Sequence, residues 1–236
     1  MVSSIIVAAG KGVRMDNTAP KQHMNLAGRP ILAHCLEAFN ACSQIENIFL
    51  VIQKEDFDCC KKKILSSLDL KIKVNLVPGG AHRQDSVFKG LKAIDKKDGT
   101  VVIHDGVRPF IRADDISACV RGARRYGACI LGIPVSDTLK HVSKSDIIEK
   151  TLPREIVWFA QTPQAFQYEL ILKAHETARR HGFKGTDDAL LVERLGVDVK
   201  MINGSKRNIK ITTKEDLILA EAIYNAGLRE FQESLN

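Results

Sequence analysis

The chain has 236 residues, 44% apolar and 27% charged, with 35 Lys and Arg against 28 Asp and Glu for a net charge of +7. That length buries one substantial core, or one core with an insertion, and the composition is that of a globular protein rather than a disordered or fibrous one. No apolar stretch approaches the roughly 20 residues needed to span a bilayer, and the densest basic run, Lys61-Lys62-Lys63, reads as a solvated helix face.

The elements follow one another in a regular alternation. Ile5–Ala8 predicts a strand, and Ile31, Leu32, Cys35, Leu36 and Phe39 fall at helical spacing. Ile48–Ile52 is a second strand and Phe57 to Leu68 a second helix. Val74–Val77 is a third strand, followed by a helix marked by Val87, Leu91 and Ile94. Val101–His104 is a fourth strand, and Ile116, Val120 and Ala123 form a helical stripe before a fifth strand at Ile130–Pro134. Strands alternating with helices argue for an α/β fold, Rossmann-like, with a mostly parallel sheet and helices on both faces.

The pattern then changes. Asp137–Val142 and Ile147–Leu152 flank the polar turn Ser143-Lys144-Ser145-Asp146, which predicts a β-hairpin arm inserted at about 136–156 of a single domain spanning 1–236. Such an arm has too little apolar mass to stand alone, so it is expected to pack against a second subunit. Helices resume at Tyr168–His181 and Asp187–Leu195, and a strand follows at Val197–Ile202. Thr213 with Asp216 caps a last helix ending near Gly227.

Ligands of open parallel sheets bind beyond the carboxyl ends of the strands, so the loops that follow strands are the candidates for chemistry. The first runs Gly10-Lys11-Gly12-Val13-Arg14-Met15, with Pro20-Lys21 beyond it. It is not a P-loop, because no Gly-Lys-Ser/Thr closes it, and Met15 stands where a dinucleotide fingerprint needs its third glycine. Such a loop can still turn backbone N–H groups and cations toward a phosphate chain. Strand three is followed by Gly79-Gly80-Ala81-His82-Arg83-Gln84-Asp85-Ser86, strand four by His104-Asp105-Gly106-Val107-Arg108-Pro109, and strand five by Pro134-Val135-Ser136-Asp137-Thr138-Leu139-Lys140. Cations, hydroxyls and one prominent acid make the inventory of phosphoryl or nucleotidyl transfer. Taken singly, each has a plainer reading: a tight turn at Gly10 and Gly12, surface cations at Arg14, Lys21 and Lys210, caps at Asp105 and Thr186, a turn at Thr162-Pro163.

In order along the chain, these motifs resemble a known family. They are Ala8-Ala9-Gly10-x-Gly12-x-Arg14-Met15, Pro20-Lys21, Gly79-Gly80-x-x-Arg83-x-x-Ser86, His104-Asp105-x-x-Arg108-Pro109, Asp137-Thr138-x-Lys140, Arg154 before Gln161-Thr162-Pro163-Gln164-x-Phe166, Thr186-Asp187-Asp188 and Asn208-Ile209-Lys210-Ile211-Thr212. The set resembles the 2-C-methyl-D-erythritol 4-phosphate cytidylyltransferases of the non-mevalonate isoprenoid pathway. The resemblance implies a Rossmann-like body, a homodimer through the β-arm, and CTP and a polyol phosphate as substrates. It implies that Arg14, Lys21, Arg154 and Lys210 are catalytic, with Arg154 reaching the other subunit's site. Ala8, Ala9, Gly10, Gly80, Arg83, Ser86 and Asp105 would hold CTP, and Arg108, Thr138, Arg154, Thr162 and Thr186 the methylerythritol phosphate. Mg2+ would be bound mainly through the CTP phosphates, with Asp105 an indirect ligand.

Ala81 and the pair Gly106-Val107 depart from the family's usual residues, and Gly106-Val107 with Pro109-Phe110-Ile111 leans toward the sister ribitol 5-phosphate cytidylyltransferases. A non-catalytic nucleotide-binding relative is the other alternative, against which no catalytic cation is missing. A nucleic-acid partner is not expected, because one Trp and three Tyr form no basic stripe with interleaved aromatics. No membrane partner is expected either. Neither a signal peptide nor a transit segment is expected at the N-terminus, no cyclase domain is expected after the last helix, and the cytoplasm is the expected site. The six cysteines form no C-x-x-C pair or zinc-like spacing with His, and reduced thiols are expected. No His has ligand spacing.

Overall fold

The structure is a computed structural model and describes residues 1–10, 24–95 and 98–233. In chain order its elements are β1 (Val2–Val7), a short ribbon of β2 (Asn25–Leu26) and β3 (Arg29–Pro30), α1 (Ile31–Ala41), β4 (Asn47–Ile52), α2 (Phe57–Lys63), β5 (Lys73–Pro78), α3 (Arg83–Lys92), β6 (Thr100–Asp105), α4 (Ala113–Tyr126) and β7 (Ala128–Pro134). A hairpin of β8 (Leu139–Val142) and β9 (Ile148–Leu152) comes next. The chain then forms β10 (Trp158–Gln167), α5 (Tyr168–Arg180), α6 (Asp188–Glu193), β11 (Lys200–Asn203) and α7 (Lys214–Glu233).

Seven strands form one sheet in the order β11-β7-β10-β6-β1-β4-β5. All pairings are parallel except those of β10, which runs antiparallel between β6 and β7. The β-branched runs of β1, β4 and β6 are buried on both faces, as central parallel strands require. Neighbouring residues point to opposite faces. Ile6 joins Leu32, Leu36, Phe39 and Val120 of α1 and α4 on one side, while Ile5 joins Val87, Leu91 and Ile171 of α3 and α5 on the other. Each such side chain, fully buried, contributes about 2 kcal/mol by removal of apolar surface from water.

The residues between the arm and α5 do not form a turn; Trp158–Gln167 is a ten-residue strand. Pro163 hides it in the sequence, because a proline inside a run argues against a central strand. The structure reconciles the two: pairing with β7 is interrupted between Ala160 and Gln164, and pairing with β6 begins at Gln164. Pro163, with no N–H to give, sits in the gap, and Gln161 and Thr162 are released from the ladder toward the end of β6. The second predicted helix is also shorter than its apolar spacing suggested; α2 stops at Lys63 and a 3-10 turn covers 65–67. The last helix continues past Gly227 to Glu233. Its cap is in place, with the Thr213 N–H donating to Asp216 Oδ2 at 2.8 Å and the Asp216 N–H to Thr213 Oγ1 at 3.2 Å.

The hairpin β8–β9 is a separate two-stranded sheet. Around it stand exposed large apolar side chains, with Ile147 64%, Ile148 59%, Ile156 77% and Phe159 53% accessible. Among the described residues no helix is long and apolar enough to cross a membrane.

Candidate functional site

The carboxyl ends of β1, β4, β5 and β6 open onto a cleft of about 780 Å³. Ala8, Ala9 and Gly10 line it after β1, Gln53 after β4, residues 79–83 with Ser86 and Lys89 after β5, and Asp105 at the end of β6; Lys210 and Thr212 enter from the segment before α7. Backbone bonds tie these loops to the sheet: Ala8 N–H to Val51 O at 2.8 Å and Gly79 N–H to Ile52 O at 2.8 Å, while Gln53 Nε2 donates to Ala9 O. The loops touch so closely that a Cβ on Gly79 would collide with Ala9, and one on Gly80 with Asp85. Glycine is required at both positions by this approach. Ser86 Oγ accepts from Gly80 N–H at 3.0 Å and donates to His82 O at 3.1 Å, which folds the glycine loop onto the first turn of α3.

Asp105 is the centre of the charge in this cleft. Its carboxylate accepts from Arg83 Nε at 2.8 Å on one oxygen and from Lys210 Nζ at 2.8 Å on the other, with Arg108 Nε at 3.7 Å. Burial alone would push the carboxyl up; Arg83 and Lys210 outweigh it and hold it well below the usual carboxylate range. Arg83 spans two acids, since its Nη1 donates to Asp188 Oδ2 at 2.7 Å. Burial opposes its charge, and Asp188 and Asp105 together raise its pKa above the ordinary value. Asp188 is likewise held low against its burial by Arg83 and His175.

The backbone of Asp105 is fixed by a directional chain of hydrogen bonds. Its N–H donates to Thr162 Oγ1 at 3.1 Å, Thr162 Oγ1 lies 3.0 Å from His104 Nδ1, and His104 Nε2 lies 3.2 Å from Arg108 O. A carbonyl only accepts, so Nε2 carries the imidazole hydrogen, Nδ1 accepts, and the Thr162 hydroxyl donates to it. The chain needs a neutral imidazole, and burial pushes His104 down to about 4 against the pull of Asp105. Behind it, Asn208 Nδ2 donates to Thr162 O at 2.8 Å, and Asn208 O accepts from Arg108 Nη1 at 2.8 Å. Ile211 N–H donates to Val107 O at 2.9 Å. These bonds carry Lys210 to Asp105.

Of the sequence-predicted residues, Ala8, Ala9, Gly10, Gly80, Arg83, Ser86, Asp105 and Lys210 line the one cleft. Arg108 and Thr162 do not; Arg108 Nη1 donates to Asn208 O and Thr162 Oγ1 meets His104 Nδ1. Thr138 and Arg154 are exposed at the base of the arm, where Arg154 Nη1 donates to Ser136 O at 3.1 Å. Thr186 is exposed just before α6, and the cap of that helix is Asp187, which accepts from Leu190 N–H at 3.0 Å. Arg14 and Lys21 lie outside the described residues. Sequence reasoning missed Gln53 and Lys89, which hold loop carbonyls, and the pair Asp188 and His175. His175 follows Ile171 at helical spacing, a signal of core position alone. Among the described residues no group of three His, Cys, Asp or Glu is gathered as for a metal ion.

A family model described as 2-C-methyl-D-erythritol 4-phosphate cytidylyltransferase matches residues 2–226. A relative of that name from Pelotomaculum thermopropionicum is 43% identical over 225 residues, 95% of this chain and 94% of the relative. One from Desulforamulus reducens is 45% identical over 221 residues, 94% of each chain. The crystal structure of 4-diphosphocytidyl-2C-methyl-D-erythritol synthase from Anaerococcus prevotii superposes with a TM-score of 0.85 at 37% identity, covering 95% of this chain and 96% of that one.

Removing the charge of Asp188 leaves a buried guanidinium short of one partner, so Asp188→Asn should lower stability at neutral pH by about 3 kcal/mol in urea unfolding. The carboxyl is depressed in the fold and near 3.9 when unfolded, so its contribution is complete above about pH 4 and fades as the pH falls below it. The gap between wild type and variant should therefore hold steady down to about pH 4 and narrow as the pH falls below it; a gap that widens on acidification would contradict the charge assignment.

Proposed function

We propose a residue-level mechanism for this chain, which belongs to the 2-C-methyl-D-erythritol 4-phosphate cytidylyltransferase family. The chain is a nucleotidyltransferase that joins CTP and 2-C-methyl-D-erythritol 4-phosphate to give 4-diphosphocytidyl-2-C-methyl-D-erythritol and pyrophosphate. The observation that carries the mechanism is the placement of two cations, Arg83 and Lys210, on one carboxylate at the strand ends, beside glycine loops that admit a ligand to the backbone.

A phosphate oxygen of the polyol phosphate attacks the α-phosphorus of CTP in line. One P–O bond forms as the bond from the α-phosphorus to the bridging oxygen breaks, and pyrophosphate leaves. The attacking oxygen is already anionic, so no proton has to be removed. The barrier lies in bringing two anions together, and cations fixed in place lower it. Arg14, Lys21 and Lys210 neutralise the triphosphate and the charge that builds on the α-phosphate. Ala8, Ala9, Gly10, Gly80, Arg83 and Ser86 enclose the nucleotide, with the glycine loop facing the base. Asp105 lies by the ribose and holds Arg83 and Lys210 at their stations.

A magnesium ion would arrive on the CTP phosphates and be held mainly by their oxygens, with Asp105, the acid that lines the cleft among the described residues, an indirect ligand because its oxygens already meet Arg83 and Lys210. When bound, the ion adds charge neutralisation on the phosphates.

The acceptor side consists of Arg108, Thr138, Thr186 and Arg154. Thr162 serves it indirectly, since its hydroxyl is spent in fixing Asp105. Arg154, at the base of the arm, does not line the cleft of its own chain, and the exposed apolar side chains Ile147, Ile148 and Ile156 suit a surface that another chain covers. The active unit is accordingly a homodimer whose arms complete each other's sites. Six free cysteines, Cys35, Cys42, Cys59, Cys60, Cys119 and Cys129, suit the reducing cytoplasm.

Pyrophosphate release from CTP with magnesium should depend on 2-C-methyl-D-erythritol 4-phosphate and be negligible with D-ribitol 5-phosphate; release with the ribitol ester alone would move the chain to the sister reaction. Arg154→Ala and Lys210→Ala should each be nearly inactive, and mixing the two proteins should restore part of the activity. A mixture as inactive as its components would contradict arms that serve the opposite subunit.

A further inference from the structure

His175 lies in the middle of α5 on the buried stripe that includes Ile171 and Ala178, and it is fully buried. Its place in the helix is that of a packing residue. Its hydrogen bond is not: Nε2 lies 3.0 Å from Asp188 Oδ1. A carboxylate oxygen accepts only, so Nε2 carries the hydrogen and donates it. The other oxygen, Asp188 Oδ2, takes Arg83 Nη1 at 2.7 Å, and Arg83 Nε reaches Asp105 Oδ1 at 2.8 Å. A continuous line of charged and polar bonds thus runs from α5 to the floor of the cleft. Asp188 is further held by its own backbone, whose N–H donates to Gln164 Oε1 at 3.2 Å.

We propose that His175 is a positioning residue for the nucleotide site, acting through Asp188 on Arg83. The proposal rests on the reading that Arg83 binds CTP. The physical reason is the way Arg83 is divided. It gives one nitrogen to each of two carboxylates, which aims its guanidinium between α6 and the end of β6. Arginine and a single carboxylate prefer the two-bond, fork-to-fork arrangement. Asp188 can adopt that arrangement only if Oδ1 is released to turn toward the guanidinium, and His175 occupies Oδ1. Without the imidazole donor, Asp188 turns and takes Arg83 with both oxygens. Arg83 is then drawn from Asp105 toward α6, and the nucleotide loses its contact. The Phe88 ring stacks against the His175 ring, 6.3 Å between centroids.

The test compares wild type, His175→Phe, His175→Gln, Arg83→Ala and the double variant His175→Phe/Arg83→Ala. KM for CTP and kcat are read from pyrophosphate release, and folding is checked by circular dichroism. His175→Phe keeps the volume and loses the donor. It should raise KM for CTP roughly tenfold, the worth of one hydrogen bond to a charged group. It should leave kcat within about twofold, as expected when binding shared by ground and transition states is lost. His175→Gln, which can place an amide N–H near the same point, should recover most of the loss. In the Arg83→Ala background, His175→Phe should add nothing, because its only route to the nucleotide is gone. A purely structural His175 predicts the opposite: KM unmoved, or a full additional loss in the double variant, and either result overturns the proposal. If His175→Phe does not fold, His175→Leu takes its place with the same expectations. An Arg83→Ala protein with wild-type KM for CTP would instead overturn the assignment of the nucleotide site, and is distinguishable from failure at His175 alone.

Discussion

Everything in this cleft depends on one buried carboxylate bearing more than one cation. Asp105 is nearly inaccessible, with a side chain 8% exposed, and it meets Arg83 and Lys210 at the same 2.8 Å distance. An isolated acid at such depth would be driven to its neutral form. Here the cations keep it ionised, and it keeps them from repelling one another. That balance leaves the cleft cationic on its open side and rigid underneath, which is the arrangement that binds a polyphosphate without reorganising when the charge moves during transfer.

The fold supplies this carboxylate from three directions. β6 brings it to the carboxyl edge of the sheet, where parallel topology opens a crevice. The interrupted pairing of β10 releases Thr162, whose hydroxyl receives the Asp105 N–H and passes its own proton bond to His104. Asn208, fully buried, ties the far segment to both Thr162 and Arg108 and so delivers Lys210. A change in any of the three moves the acid or one of its cations, although none of these supporting groups lines the cleft.

Much of this was legible in the chain. The β-α alternation and the paired strands of the arm follow from apolar periodicity, and the residues after β1, β5 and β6 mark the cleft because ligands of parallel sheets bind there, whereas none of residues 134–140 after β7 lines it. Eight of the residues singled out, from Ala8 to Lys210, line one cavity. What was not legible has definite physical causes. β10 carries Pro163 at its centre, and nothing local says that the ladder is broken at just that point. That Arg108 and Thr162 also serve buried backbone, at Asn208 and at Asp105, has no mark in the sequence around them. His175 and Asp188 are 13 residues apart in sequence on different helices, and helical spacing marks the first only as core.

The central claim is that the ionised Asp105 carboxylate, rather than the shape of its side chain, organises the cations that bind and transfer the nucleotide. Pyrophosphate release by Asp105→Asn tests it most directly, since the amide keeps the size of the side chain and removes its charge. Turnover should fall by about 10²–10³ while the protein stays folded, the loss typical of removing one electrostatic contributor. Turnover near that of wild type in a folded Asp105→Asn protein would contradict the account, because Arg83 and Lys210 would then be held in place by something other than this charge.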